Sequence, residues 1–239
     1  MPPPRHAARR PSGGRVAEND LLHDLDVAVV VARHAPWQVT ALQAAVAADL
    51  GPDWRGGALV VDDAAPGPTA RAARDALADH HARARRTVLT LPRPLGRAGA
   101  ADLALAELTG EYVALLDVTT RPAPGTLRTL ALALDRTPDA LWAAPPVPGL
   151  AVVRRAVFLG LGAFDPALRG DAAVADAGRR AEAAGWRRLR IDEARAHHDG
   201  RAGAGPRIRR PAPRRAWSGD ALAAWLPRAR LAAMRVDLP

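Results

Sequence analysis

The chain has 239 residues, enough for one sizeable core, with 49 % hydrophobic but only 4 % aromatic residues; every basic residue is an arginine, a bias that weakens the meaning of any single one. The net charge of +9 sits at the ends, with residues 23–199 neutral, 1–22 at +2 and 200–239 at +7, so the body lacks the basic footprint of a nucleic-acid-binding domain. The absence of cysteine excludes disulfides and thiolate metal sites, and with no apolar run near about 20 residues and no secretory leader, a cytoplasmic protein is expected.

In chain order, residues 1–22 are rich in Pro, Gly and Arg without periodicity and read as a disordered tail. Strands and helices then alternate: a strand over 27–31, a helix over 38–50, a strand over 58–61 ending on Asp62 and Asp63, and a helix over 69–83. There follow a strand over 87–91, a helix over 98–108, the strand 112–116 ending on Asp117, and a helix over 126–134. Shorter apolar segments lie at 140–144 and 150–153, with helices at 156–161 and 171–184 and a last strand at 188–191 before His197 and His198. In the helix at 171–184, Asp171 reads as an N-cap and Gly185 as the stop. Alternating βα units with nearly continuous apolar strands predict an α/β fold, a mainly parallel sheet with helices on both faces. The expected organisation is a tail over 1–22, one domain over 23–200, and a basic Arg/Pro-rich tail over 201–239. That second tail contains an amphipathic segment, 219–236, with Trp225, Leu222 and Leu226 beside arginines. Such a segment docks on its own domain or lies on an anionic membrane surface, which would make the protein peripheral at the inner face.

Carboxylates at the C-terminal ends of buried strands stand where open α/β sheets hold ligands. The stretch LLDVTTRPAPG (115–125) resembles the metal-binding segment LLDxDxxPxPG of family 2 glycosyltransferases, which have the GT-A fold, with Thr119 in place of the second acid. Further pieces match in order: DVAVVVA (26–32) against the first strand, VVDDAAP (60–66) against VVDDGSxD, and RPLGRAGAAD (93–102) against NxGxAAARNxG. GAFDPALRG (162–170), AGWRRLR (184–190) and DEARAHHDG (192–200) match GGFDExxxG, AGWRxxY and PEARVHHHG. The resemblance covers about residues 25–200.

It implies a transferase that moves a sugar from a nucleoside-diphosphate sugar to a hydroxyl acceptor, of hexosyltransferase type. Asp62, Asp63, Arg97 and Asp117 would bind the nucleotide sugar. Asp117 and His198 would hold Mg²⁺ or Mn²⁺, hard cations that prefer carboxylate oxygens, in a site weakened by Thr119. A competing reading makes Asp62 and Asp63 caps of the turn into the next helix. The family's catalytic base lies in GEDxDLxxRxRxxGW. Ungapped alignment back from Gly185-Trp186 sets Ala173-Val174 at its Glu-Asp pair and leaves Asp176, while a two-residue insertion brings Asp171 there instead. Asp176 and Asp171 are therefore the candidate bases. Replacements at Ala101, Thr119 and Val174 support an alternative, a catalytically degenerate homologue acting as a binding or scaffold subunit. A nucleic-acid-binding reading rests on the arginine tail alone, and no specific nucleic-acid partner is expected. No G-x-G-x-x-G or Walker loop follows a strand, and no G-x-S-x-G is present.

Overall fold

Four apolar runs form the parallel centre of one sheet: β1 (Leu25–Val31), β2 (Gly57–Asp62), β3 (Arg85–Thr90) and β4 (Tyr112–Asp117), in the order β3-β2-β1-β4. The computed structural model describes residues 21–22, 24–32, 34–81, 83–168, 170–199 and 218–238. All of β1 and β2 is buried, because helices cover both faces and leave no polar alternation in the strands. The crossovers are α1 (Pro36–Leu50), α2 (Gly67–His80) and α3 (Gly96–Glu107). The chain runs outward from β1 to β3 and then returns to β4 on the other side of β1. The strand order therefore reverses between β1 and β4.

Beyond β4 come β5 (Thr120–Pro122), α4 (Thr126–Asp135), β6 (Ala140–Ala144), β7 (Leu150–Arg154) and α5 (Arg155–Gly160). The chain continues through α6 (Asp171–Ala183), β8 (Arg187–Arg190), β9 (Ala196–His198), α7 (Gly219–Ala232) and β10 (Met234–Leu238). The eight-stranded order is β10-β3-β2-β1-β4-β7-β6-β8, with β5 and β9 paired apart from it. β7 runs antiparallel to both β4 and β6, and β8 lies parallel to β6. One core, on the α1, α2 and α4 face, contains Leu42, Leu77 and Leu130; the other, under α3, α5 and α6, contains Leu103, Phe158 and Ala181. The expected α/β class, mainly parallel with helices on both faces, is what the chain adopts.

The ends of the chain differ from the tails read in the sequence. Leu21 and Leu22 are buried and join the first core, since two adjacent leucines gain more from the interior than from water. The other residues of the 1–22 tail, and 201–217 of the basic tail, lie outside the described residues. In α7, Leu222 is buried, and Trp225 and Leu226 pack against the second core. The apolar side that the sequence offers to a membrane thus faces its own domain, next to α3 and α5. β10 then pairs antiparallel with β3 and covers that sheet edge. The opposite edge, β8, is blunted instead by Arg187, Arg188 and Arg190. Among the described residues, no helix is long and apolar enough to cross a membrane.

Buried acids fasten the frame. Asp49, at the end of α1 and 7 % exposed, accepts hydrogen bonds from the backbone N–H groups of Gly125 (2.5 Å) and Leu127 (2.8 Å) at the start of α4. Burial pushes its carboxyl up to about 6, against the pull of those N–H groups and of Arg128. A raised acid favours the native state most below its unfolded value, and that contribution is lost as pH rises through about 6. The wild type should therefore lose on the order of 2–3 kcal/mol relative to Asp49→Asn between about pH 4 and about pH 7, with no further change above. Urea midpoints of the two proteins across pH measure this, and parallel curves would disprove it.

Candidate functional site at the strand switch point

The carboxyl rim is built around the end of β1. Asp62 pairs in register with Val31 and Asp117 with Val30, so the two acids flank β1 from opposite sides. Two strand spacings separate their backbones by about 10 Å. Asp63 follows immediately, its N–H donating to Val31 O at 2.8 Å. All three acids thus stand on one rim, at the reversal in strand order, but their side chains do different work. Asp62 Oδ1 accepts from the N–H of Ala65 at 2.8 Å, a local turn cap. Asp63 uses both oxygens on the first turn of α3, accepting from Leu95 N–H (2.6 Å) and Gly96 N–H (3.0 Å). Burial raises the Asp63 pKa, and those two N–H groups oppose the rise. Asp63 thereby fixes the backbone next to Arg97.

Asp117 is the centre of the site. Its backbone N–H donates to Gly149 O at 2.7 Å, and its side chain is 4 % exposed. Oδ1 accepts from both the N–H (2.9 Å) and the hydroxyl (2.8 Å) of Thr119, while Oδ2 forms an ion pair with Arg97. Thr119 therefore orients the first acid rather than replacing the second. Burial lowers the Arg97 pKa and the Asp171 carboxylate acts against that; with 59 % of its side chain exposed, the guanidinium stays charged. His34, just past β1, was not singled out from the sequence. Its Nδ1 accepts from Ala32 N–H (3.2 Å), which leaves the proton on Nε2, 3.9 Å from Asp117 Oδ1. Burial, then the charge of Arg97, lowers its pKa. Its position at the end of the central strand was the available signal.

Thr120 and His198 meet across the β5–β9 pair. The Thr120 hydroxyl donates to Pro148 O at 2.8 Å, and a hydroxyl has one proton. The 2.9 Å contact with His198 Nδ1 must then be donated by the ring, so Nε2 keeps its lone pair. Gly149 closes this corner with φ +84°; a Cβ there would come 2.3 Å from Thr120 Oγ1 and 3.0 Å from Asp117 Cβ.

A cavity of about 260 Å³ opens beside Asp117, between the sheet and helices α3, α5 and α6. Its charged lining groups are Arg97, Asp117 and Asp171. Asp171 is the first residue of α6, one position beyond the cap that the sequence suggested, because Gly170 takes the cap with φ +52°. Ala173 and Val174 line the same cavity. Asp176 does not. It binds Arg179 (3.1 Å) and Arg180 (2.8 Å), and Arg180 in turn donates to Leu161 O and Ala163 O. Asp176 thus supports the loop before α6 through Arg180.

Residues 57–157 match the model described as glycosyl transferase family 2. The chain has a GT-A fold. Similar solved structures include the mannosyltransferase PcManGT from Pyrobaculum calidifontis in complex with GDP-Man and Mn²⁺, at TM-score 0.61 and 24 % identity over 71 % of this chain and 55 % of that one. GalNAc-T7 with UDP, GalNAc and Mn²⁺ gives 0.63 and 13 % over 73 % of this chain and 43 % of that one. TarS from S. aureus gives 0.60 and 16 % over 71 % and 35 %. The chain spans about half the length of these proteins or less, and identities this low show the fold. No curated protein matches the chain.

In a GT-A fold the question at Asp117 is whether a divalent cation suits the residues present. Among the described residues no group of three His, Cys, Asp or Glu side chains could hold one. Asp117 offers a carboxylate on the rim, and His198, across the β5–β9 pair, has its imidazole held by Thr120 on Nδ1, the arrangement common among ligating histidines. Mg²⁺-type cations commonly take one or two carboxylates and complete their shell with substrate phosphates. A carboxylate and an imidazole are donor types that such a cation accepts, but the Asp117 oxygens are held by Thr119 and Arg97, and these residues do not form an all-protein cage.

Proposed function

We propose that this domain transfers a sugar from a nucleoside-diphosphate donor to a hydroxyl acceptor. The observation that carries the reading is the meeting of Asp117, Arg97 and Asp171 on one cavity at the switch point. The family 2 match, and neighbours solved with GDP-Man or UDP together with Mn²⁺, agree with it. Asp62 is assigned to the nucleoside, whose ring N–H and ribose hydroxyl groups need an acceptor. Asp63 is a positioning residue for Arg97. Arg97 leaves Asp117 Oδ2 to take the diphosphate, for which its planar fork of donors is suited. Asp117 and His198 would then hold Mg²⁺ or Mn²⁺ beside the phosphates. Such a cation, when bound, neutralises charge that builds on the leaving diphosphate.

Asp171 is the assigned base. It takes the acceptor hydroxyl proton as that oxygen bonds to the anomeric carbon. The bond from that carbon to the diphosphate breaks, and its electron pair leaves with the nucleotide. A second reading, a binding subunit without turnover, is favoured by Thr119 at the second acid of the metal motif and by Val174 in the cavity.

The test is calorimetry with UDP-, GDP- and dTDP-sugars, with and without Mn²⁺, followed by a transfer assay. One nucleotide class should bind in the presence of Mn²⁺, and Asp117→Ala should weaken it at least tenfold. Binding without hydrolysis or transfer selects the second reading. No binding of any nucleotide removes both.

A further inference from the structure

The cavity beneath the rim has an unusual division of chemistry. Its charged side chains, Arg97, Asp117 and Asp171, all stand at or next to strand and helix ends along the rim. The interior is lined by Ala28 and Val30 of β1, Ala101 of α3, Trp142 of β6, Phe158 of α5 and Phe164. A sugar ring brings several hydroxyl groups, and each one buried against such a lining would lose its water partners without gaining others. A donor sugar is therefore satisfied at the rim, by Asp117 and Arg97, and the depth of the cavity calls for an apolar occupant. Cavities of about 150 Å³ with linings of this kind take a benzene ring. One of about 260 Å³ takes an aryl ring with a short chain, or an alkyl or prenyl segment of similar size.

We infer that the acceptor is an alcohol with an apolar body, its hydroxyl at Asp171 and its aryl, alkyl or prenyl portion in this cavity. The inference rests on the transferase reading above and names the acceptor class of that site. It fits the placement of Asp171, on the first turn of α6, with Ala173 and Val174 facing the same cavity. Ala173 and Val174 put uncharged side chains on the wall that meets the apolar body. The hydroxyl transfers its proton to Asp171 and its oxygen forms the new glycosidic bond, so no further reactant is needed.

The test uses the full chain and benzyl alcohol as the probe, with binding followed by saturation-transfer NMR. Ala101→Leu and, separately, Ala173→Leu fill the cavity from two different helices. Each should weaken benzyl alcohol binding at least tenfold and leave nucleotide affinity within twofold; circular dichroism identifies a variant that fails to fold, and the other then decides. Transfer is assayed in parallel to benzyl alcohol, to farnesol in phosphatidylcholine vesicles and to glucose. Transfer to benzyl alcohol in solution identifies a soluble acceptor class, and transfer to farnesol alone a lipid one; either supports the inference. Benzyl alcohol binding that ignores both fillings, or transfer to glucose in preference to both alcohols, overturns it. Probe binding lost in the filled variants, but with no nucleotide bound by the wild type, keeps the apolar site and removes the transferase reading instead.

Discussion

Asp171→Asn is expected to lower kcat for transfer by roughly 10²–10⁴-fold, the usual contribution of a positioned base, with little change in KM for the donor. The amide keeps the size of the side chain but cannot accept the acceptor proton. Asp176→Asn should leave kcat within a few-fold. It should instead reduce stability by about 1 kcal/mol, a Tm shift of roughly 2–4 °C, because Arg180 loses its partner while holding Leu161 O and Ala163 O. The partners separate the two acids: Asp171 lines the cavity, whereas Asp176 is held by Arg179 and Arg180 and does not line it. Turnover lost in Asp176→Asn and kept in Asp171→Asn would reverse the assignment.

This contrast also marks how far the sequence could be read. Continuous apolar strands such as β1 and β4 announce a parallel sheet, and the acids at their ends announce the rim, because both are local patterns. Which acid faces the cavity is set by the rotation of α6, and an ungapped alignment that reached Val174 found the right face but no base on it. Asp63 offered two readings from sequence, nucleotide contact or a cap; its oxygens bond the first turn of α3, more than thirty residues on, rather than the turn beside it. His34 and Asp49 went unmarked for the same reason, since their meaning depends on partners far away in the chain. The three-residue strands β5 and β9 are too short for any periodicity, and they are visible only through their pairing, which brings His198 to Thr120. β10 carries little apolar pattern because it is itself the edge strand of the sheet, so its place had no local signature.

The largest loss of stability should follow from Asp26→Ala, at the amino end of β1 and opposite the site. Asp26 is fully buried. Oδ1 accepts from Gly57 N–H at 2.5 Å, and Oδ2 from Thr109 N–H at 2.9 Å and Gly110 N–H at 2.6 Å. One carboxylate thus ties β1 to the start of β2 and to the turn between α3 and β4. Each N–H left without a partner costs about 1–3 kcal/mol, and partial entry of water lowers the sum, so a loss of roughly 3–5 kcal/mol is expected. That is a large share of the 5–15 kcal/mol typical of a domain. The neighbouring cation contributes little: Arg85 reaches Asp26 Oδ1 only at 3.5 Å with 63 % of its side chain exposed, and Arg85→Ala should cost under about 1 kcal/mol. Urea denaturation of both variants, read as midpoint shifts at constant m, makes the comparison. Equal shifts would mean that the ion pair rather than the backbone cradle holds this corner. Because the corner and the rim proposed to bind nucleotide lie at opposite ends of β1, an Asp26→Ala protein that remains folded at low temperature should match the wild type in the nucleotide titrations.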